Sequence, residues 1–242
     1  MLPVLTIGRL SLPTAPFVLI LTLYAVLTLA EAGAQALRLD RNHVSRTVGW
    51  ALAGAFVAAR LAFVLRFWSL YVQEPLSIVW PLTSGYEWRI GAAVGLALLL
   101  WLARSQRLPL WPLADALTPA LVAGVIGISL AEWLGGPGLG SPTTMPWGVR
   151  VVDVVRHPVQ LYETGPAIAT TAVWVWLWRG KSADPGTPFL AALAILAAGR
   201  LLTEAWHLTS PTLNGYRLPQ LLALTLLLLA LTLLGRRAQS KE

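Results

Sequence analysis

Two stretches of this chain place ionisable side chains where helix geometry would gather them. Arg156-His157-Pro158-Val159-Gln160-Leu161-Tyr162-Glu163-Thr164 opens a long apolar run, and Gln160, Glu163 and Thr164 recur at three- and four-residue spacing. They therefore share one face of a helix that continues through Trp174 to Trp178. Pro158, with a fixed φ and no N–H, suits the first turn of that helix, and His157 stands just outside it. Farther on, Arg200 and Glu204 are four residues apart, with Thr203 between them and His207 one turn beyond. A second helix face thus offers a cation, an acid and an imidazole. Guanidinium forks bind phosphate oxygens and neutralise them at low dielectric, and a histidine or carboxylate can take a proton from a thiol or alcohol. With Arg60 inside an earlier apolar run and Glu132 at the end of another, the set suits group transfer from an anionic phospholipid. Spacing alone leaves lipid binding or transport open. The structural readings are that Arg200 and Glu204 neutralise each other as a pair, that Glu31 and Asp115 lie at interfaces or helix caps, and that Arg66 snorkels outward.

Such residues need a scaffold, and composition says which. Charged residues are 12% of the chain, about half the usual share, while 56% are hydrophobic, more than a soluble core could hide. The pattern predicts an all-α, polytopic membrane helix bundle in a single integral-membrane domain, residues 1–242. About seven spans are expected: Ala15 to Leu37, Val48 to Val72, Trp88 to Ala103 with Ile78-Val79-Trp80 as a candidate extension, Ala114 to Leu134, Val159 to Trp178, Pro188 to His207, and Leu218 to Leu234. Arg9 is the only charge before the first span, so no cleavable leader is expected and that span stays. Loops after the odd-numbered spans and the tail carry most of the Lys and Arg, including Arg38, Arg41, Arg46, Lys181, Arg236, Arg237 and Lys241. The positive-inside rule then sets the N-terminus outside and the C-terminus in the cytoplasm, with His157 and Glu163 near the outer leaflet. The longest outer connection, 135–156, contains Gly-Gly-Pro-Gly-Leu-Gly-Ser-Pro, turn formers able to fold over a site.

The absence of cysteine excludes disulfides, thiolate metal sites and a cysteine nucleophile. Without metal-ligand spacing or a Gly-rich nucleotide loop, no metal and no other cofactor is expected. The net charge of +7 reads as anchoring on an anionic leaflet, not as nucleic-acid binding.

Arg156-His157-Pro158-Val159-Gln160-Leu161-Tyr162-Glu163 resembles the Arg-His-Pro-Ser-Gln-Leu-Tyr-Glu signature of the bacterial prolipoprotein diacylglyceryl transferases. Ile7-Gly8-Arg9-Leu10-Ser11-Leu12, Ala59-Arg60-Leu61-Ala62-Phe63-Val64 and Leu113-Ala114-Asp115-Ala116-Leu117-Thr118-Pro119-Ala120 are similar to further family elements, in the family's order. So are Gly140-Ser141-Pro142-Thr143, Pro146-Trp147-Gly148-Val149 and Gly199-Arg200 with Glu204. The resemblance implies a multi-pass enzyme of the bacterial inner membrane. It would move a diacylglyceryl group from phosphatidylglycerol to the lipobox cysteine of a preprolipoprotein and release glycerol phosphate. It further implies that Arg60, Arg156 and Arg200 hold the phosphate, that Gln160, Tyr162, Glu163 and Glu204 shape and polarise the site, and that His157 is a candidate base.

The chain departs from the family where chemistry is expected. The family's first-span Trp-Tyr-Gly reads Thr14-Ala15-Pro16, its histidine falls on Ile90, its arginine on Ser129 and an asparagine on Glu132. Either Glu132, Arg89 and His157 substitute for those groups or the fold persists without the reaction. The alternatives to the transferase are therefore a non-catalytic lipid- or lipoprotein-binding relative and a phospholipid group transferase with another acceptor.

Overall fold

The computed structural model describes residues 4–7, 10–79, 85–136, 140–151, 153–179 and 184–239. The expectations that rest on Gly8-Arg9, on residues 137–139 of the outer connection, and on Lys181 and Lys241 lie outside the described residues. In chain order, a hairpin of β1 (Val4–Ile7) and β2 (Leu10–Pro13) leads into α1 (Thr14–Ala36). Then come α2 (Arg41–Arg66), the single-turn helices α3 (Trp68–Tyr71) and α4 (Leu76–Val79), α5 (Trp88–Ser105) and α6 (Leu110–Gly135). A second hairpin, β3 (Val149–Val151) with β4 (Val154–Arg156), precedes α7 (Val159–Arg179). The chain closes with α8 (Thr187–Thr203), a 3₁₀ turn (Glu204–Trp206), a third hairpin of β5 (Thr212–Leu213) and β6 (Tyr216–Arg217), and α9 (Leu218–Gln239).

The all-α reading stands, with short antiparallel hairpins added before α1, between α6 and α7, and between α8 and α9. Among the described residues, six helices are long and apolar enough to cross a membrane: α1, α2, α5, α6, α8 with its 3₁₀ turn, and α9. The remaining expected span, Val159 to Trp178, is the helix α7, 21 residues long, which is not among those six. Gln160, Glu163, Thr164, Thr170 and Thr171 hold its hydropathy below that of the others. Two other expectations shift. The second span begins at Arg41 and ends at Arg66, because Asp40 caps it and Phe67 leaves the helical region. Ile78-Val79 belongs to the separate turn α4 and does not extend α5. Pro158 lies one residue before α7, its carbonyl accepting from Leu161 N at 3.0 Å.

The described helices fall into two compact units, residues 34–113 in one and residues 1–33 with 114–242 in the other. In the first, the Asp40 carboxylate accepts from His43 N at 2.9 Å, and that bond holds the carboxyl below its ordinary value. The cap is therefore present above the ordinary aspartate range and is lost as pH falls through the lowered value. α2 and α5 meet through small residues. A Cβ on Gly91 would stand 2.6 Å from the Ala55 carbonyl oxygen and 2.7 Å from Ala59 Cβ, so only glycine lets the backbones approach this closely. Arg60, on α2, is buried and bound to backbone. It donates from Nε to Ile78 O at 3.1 Å, from Nη1 to Gly85 O at 3.0 Å and from Nη2 to Ser77 O at 2.5 Å, beneath the rings of Tyr71 and Tyr86. It fastens the stretch between α3 and α5 to α2. Arg66 pairs with Glu87 at an exposed position, the outward course its place near the helix end suggested.

In the second unit α8 packs between α7 and α9, and its start is fixed by a residue of α6. Buried Asp115 accepts from Gly186 N at 2.5 Å and Phe189 N at 2.9 Å, taking up donors that a helix N-terminus leaves unpaired. Capping was one of the readings given to Asp115 above; the helix it caps is α8 and not its own. Asp115→Ala strands both N–H groups away from water, and about 2 kcal/mol of stability should go with them. Thermal unfolding of the detergent-solubilised protein checks this: the midpoint should fall clearly for Asp115→Ala and recover in part for Asp115→Asn, which restores one acceptor.

Candidate active site

The charged residues of the second unit converge where α6, α7 and α8 face one another. Arg200, near the C-terminal end of α8, gives one Nη to Glu163 Oε1 of α7 and places Nη2 2.7 Å from Glu204 Oε2. Glu204 is fully buried, and its other oxygen accepts from Ser210 Oγ. The second oxygen of Glu163 accepts from Ser129 Oγ of α6 at 3.0 Å. His207 Nε2 lies 3.1 Å from Glu163 Oε1 and 3.2 Å from Arg200 Nη1. Glu132, one turn beyond Ser129 on α6, lies in the field of Glu163, His207 and Arg200. Isolated, any of these charges would cost several kcal/mol in a membrane interior (~2.5–3.5 on insertion scales), so the helices that carry them are committed to one another.

The loops above these helices are stitched together by backbone. Gly140 bridges to His207 and Pro142 to Arg156, while Ser141 N donates to Trp206 O at 2.7 Å and His157 N to Ser141 O at 3.0 Å. Gly140 is obligatory here, since a Cβ would sit 2.0 Å from the carbonyl oxygen of His157. The β5–β6 hairpin turns on Asn214 and Gly215, both at positive φ, and delivers Arg217. Arg217 Nη1 donates to the carbonyls of Glu204 and, at 3.1 Å, His207. These contacts fix the backbone that holds the buried acid and the imidazole.

Beside the charged cluster stands an aromatic group. Trp147 Nε1 donates to Tyr162 Oη at 2.8 Å, and Tyr162 Oη is 3.0 Å from His157 Nδ1. The Trp206 ring lies 5.9 Å from His157 and 5.5 Å from Tyr162, centroid to centroid. Arg156 donates to Gly140 O at 3.2 Å, and Gln160 is almost completely buried at the start of α7.

A cleft of about 440 Å³ opens between α6, α7, α8 and α9. Its walls are apolar, including Leu121, Val125, Leu196 and Leu226, and Ser129, Glu163 and Arg200 close one end. Leu121, Ile128, Leu222 and Leu226 line it while remaining exposed on the outer surface, so the mouth is rimmed by hydrocarbon.

Of the residues singled out in the sequence, Arg200, Glu163, Glu204 and Glu132 are brought together, and His157, Tyr162, Arg156 and Gln160 form the cap beside them. Arg60 lies in the other unit, where its described bonds are made. Ile90 is exposed on α5, Ala15 lies in the first turn of α1, and Ser129 serves as a donor to Glu163. Sequence reasoning passed over Ser129 as a ligand, Ser210 and Arg217, and it named His207 only as the imidazole on the helix face of Arg200 and Glu204. The Asn214-Gly215 pair between Leu213 and Tyr216 was the available signal for the hairpin that sets Arg217.

Among the described residues, Arg200 has two acid partners and Glu204 one cationic side chain. Arg200→Met should therefore be the costlier change, because it strands two carboxylates; about 3 kcal/mol is expected, discounted because Arg200 is partly exposed. Glu204→Gln leaves Arg200 paired with Glu163 and should cost about 1–2 kcal/mol. Unfolding midpoints of the two variants and the double variant check the order. Equal losses would mean that Glu163 is not a true second partner.

The family model described as "Prolipoprotein diacylglyceryl transferase" matches residues 3–236. A phosphatidylglycerol–prolipoprotein diacylglyceryl transferase of Nostoc sp. is 33% identical over 193 residues, covering 73% of this chain and 68% of the relative. Proteins of the same name from Solidesulfovibrio magneticus and Thermosynechococcus vestitus are 30% identical over 212 residues and 23% over 234. They cover 82% and 91% of this chain and 79% and 86% of their own lengths.

Proposed function

The chain belongs to the prolipoprotein diacylglyceryl transferase family, and on that footing we propose that it transfers a diacylglyceryl group from phosphatidylglycerol to the lipobox cysteine thiol of a preprolipoprotein, releasing glycerol phosphate. The cleft between α6 and α9 carries this reading. A cavity apolar along its walls and charged at one end matches a phospholipid, with acyl chains against Leu121, Leu196 and Leu226 and a phosphate at Arg200. A guanidinium has five N–H donors, and the Glu163 and Glu204 carboxylates engage only part of the Arg200 fork. Arg156 supplies a second cation from the cap, and Gln160 and Tyr162 shape the head-group end. His157, Glu163, Glu204 and Glu132 are acid–base groups of the site, and His207 stands against Glu163 beside them. Arg60 acts in this reading as an organiser of the stretch between α3 and α5, given its three bonds to backbone carbonyls.

The same reading extends to topology. α7 is the seventh crossing, since its polar side chains meet Ser129, Arg200 and His207 instead of lipid. Residues 1–242 work as a single integral-membrane domain of the bacterial inner membrane, N-terminus outside and C-terminus in the cytoplasm.

The direct experiment uses the purified protein in phosphatidylglycerol nanodiscs with a synthetic lipobox peptide. A thioether-linked diacylglyceryl peptide is expected with the cysteine peptide, and none with its serine analogue. Failure to modify the cysteine peptide, under conditions where the Nostoc relative does so, removes the proposal. Leu222→Trp, which narrows the rim of the cleft from an exposed position, should slow transfer several-fold from long-chain phosphatidylglycerol and much less from a short-chain form.

A further inference from the structure

Transfer to sulfur needs a group that removes the thiol proton, because a thiol of pKa about 8.5 is mostly protonated at neutral pH. Two histidines stand near the charged cluster, and their partners set them up differently. Trp147 Nε1 can only donate, so Tyr162 Oη accepts that bond and turns its own hydrogen toward His157 Nδ1. The hydrogen of His157 is then on Nε2, and the ring serves the site as a donor.

His207 is held in the opposite sense. Arg200 can only donate, and it points at the same Glu163 oxygen that His207 Nε2 approaches to 3.1 Å. Arg200 Nη1 also stands 3.2 Å from Nε2, so both ring tautomers have a partner here; the one that carries its hydrogen on Nε2 gives it to Glu163. Nδ1 is then the basic nitrogen, and among the described residues it makes no hydrogen bond. The ring is anchored from its backbone by the Gly140 bridge, by His207 N donating to Glu204 O at 3.2 Å, and by Arg217 on its carbonyl. The charged groups packed around it are Glu163 from α7, Arg200 and Glu204 from α8 and its 3₁₀ turn, Glu132 from α6 and Arg217 from β6.

We propose that His207, oriented by Glu163, is the base that deprotonates the acceptor thiol; the assignment rests on the transferase reading given above. The thiol proton passes to His207 Nδ1, and its electron pair stays on sulfur. Sulfur forms a C–S bond at the diacylglyceryl carbon while the bond from that carbon to the phosphate oxygen breaks. Glycerol phosphate leaves with that oxygen and the bonding pair, then takes the proton back from the imidazolium, restoring His207.

The test compares wild type, His207→Gln and, as a control, the exposed His43→Gln, in the nanodisc assay across pH. His43→Gln should match wild type. His207→Gln should lose about 100-fold or more near pH 7 and regain most of that by about pH 9, where the thiol ionises unaided. A deficit that is the same at both pH values marks His207 as merely structural and overturns the proposal, as does a variant that keeps a third of the wild-type rate near neutrality. If His207→Gln does not fold, the wild-type profile decides. A bend well below about 8.5 supports a protein base, whereas a tenfold rise per pH unit up to the thiol pKa overturns it. An inactive wild type overturns the transferase reading together with this inference; an active wild type with an unaffected His207→Gln overturns the inference alone.

Discussion

The structure of the second unit depends on one guanidinium held between two acids. Arg200 joins Glu163 on α7 to Glu204 at the end of its own helix, and each of the three would be strongly unfavourable alone in a low dielectric. Pairing of this kind does not maximise stability, since well-packed apolar residues would do as well. What it specifies is register: α7 and α8 can slide past each other only by breaking the ion pair between them. The Asp115 cap fixes the start of α8, so both ends of that helix are pinned by carboxylates, one from α6 and one from α7.

Pinning the helices does not by itself orient the reactive groups, and the short hairpins and bridges supply the rest. His207 lies beyond the last helical turn of α8, where a side chain would ordinarily be free to choose a rotamer and a backbone direction. The Gly140 bridge, the Ser141 N bond to Trp206 and the Arg217 contacts remove that freedom. An imidazole that must present one nitrogen to Glu163 and the other to a substrate requires this kind of immobilisation.

Local features of the chain were readable in advance, and distant pairings were not. The helix positions follow from apolar run length, and the Arg200–Glu204 pair follows from helical spacing, because both depend on neighbours in sequence. The Arg200–Glu163 pair joins residues 37 apart, and Ser129 meets Glu163 across 34; neither distance carries a periodic signal. Arg60 illustrates the converse difficulty. An arginine in an apolar run looks like a ligand for a phosphate, yet in its own unit its donors go to backbone carbonyls that the sequence gives no reason to expect unpaired. The hairpin at Asn214-Gly215 was legible and was overshadowed by the apolar runs on either side.

The hydrocarbon rim of the cleft has a kinetic meaning. Leu121, Ile128, Leu222 and Leu226 are exposed on the surface that abuts acyl chains, so a lipid that enters there arrives by diffusing sideways within a leaflet and is never dissolved in water. Occupancy of such a cleft is governed by the mole fraction of the lipid among its neighbours, and every other phospholipid present competes for it. Turnover would then follow the composition of the membrane, and diluting the whole suspension with buffer would leave the encounter with lipid untouched while thinning the supply of peptide.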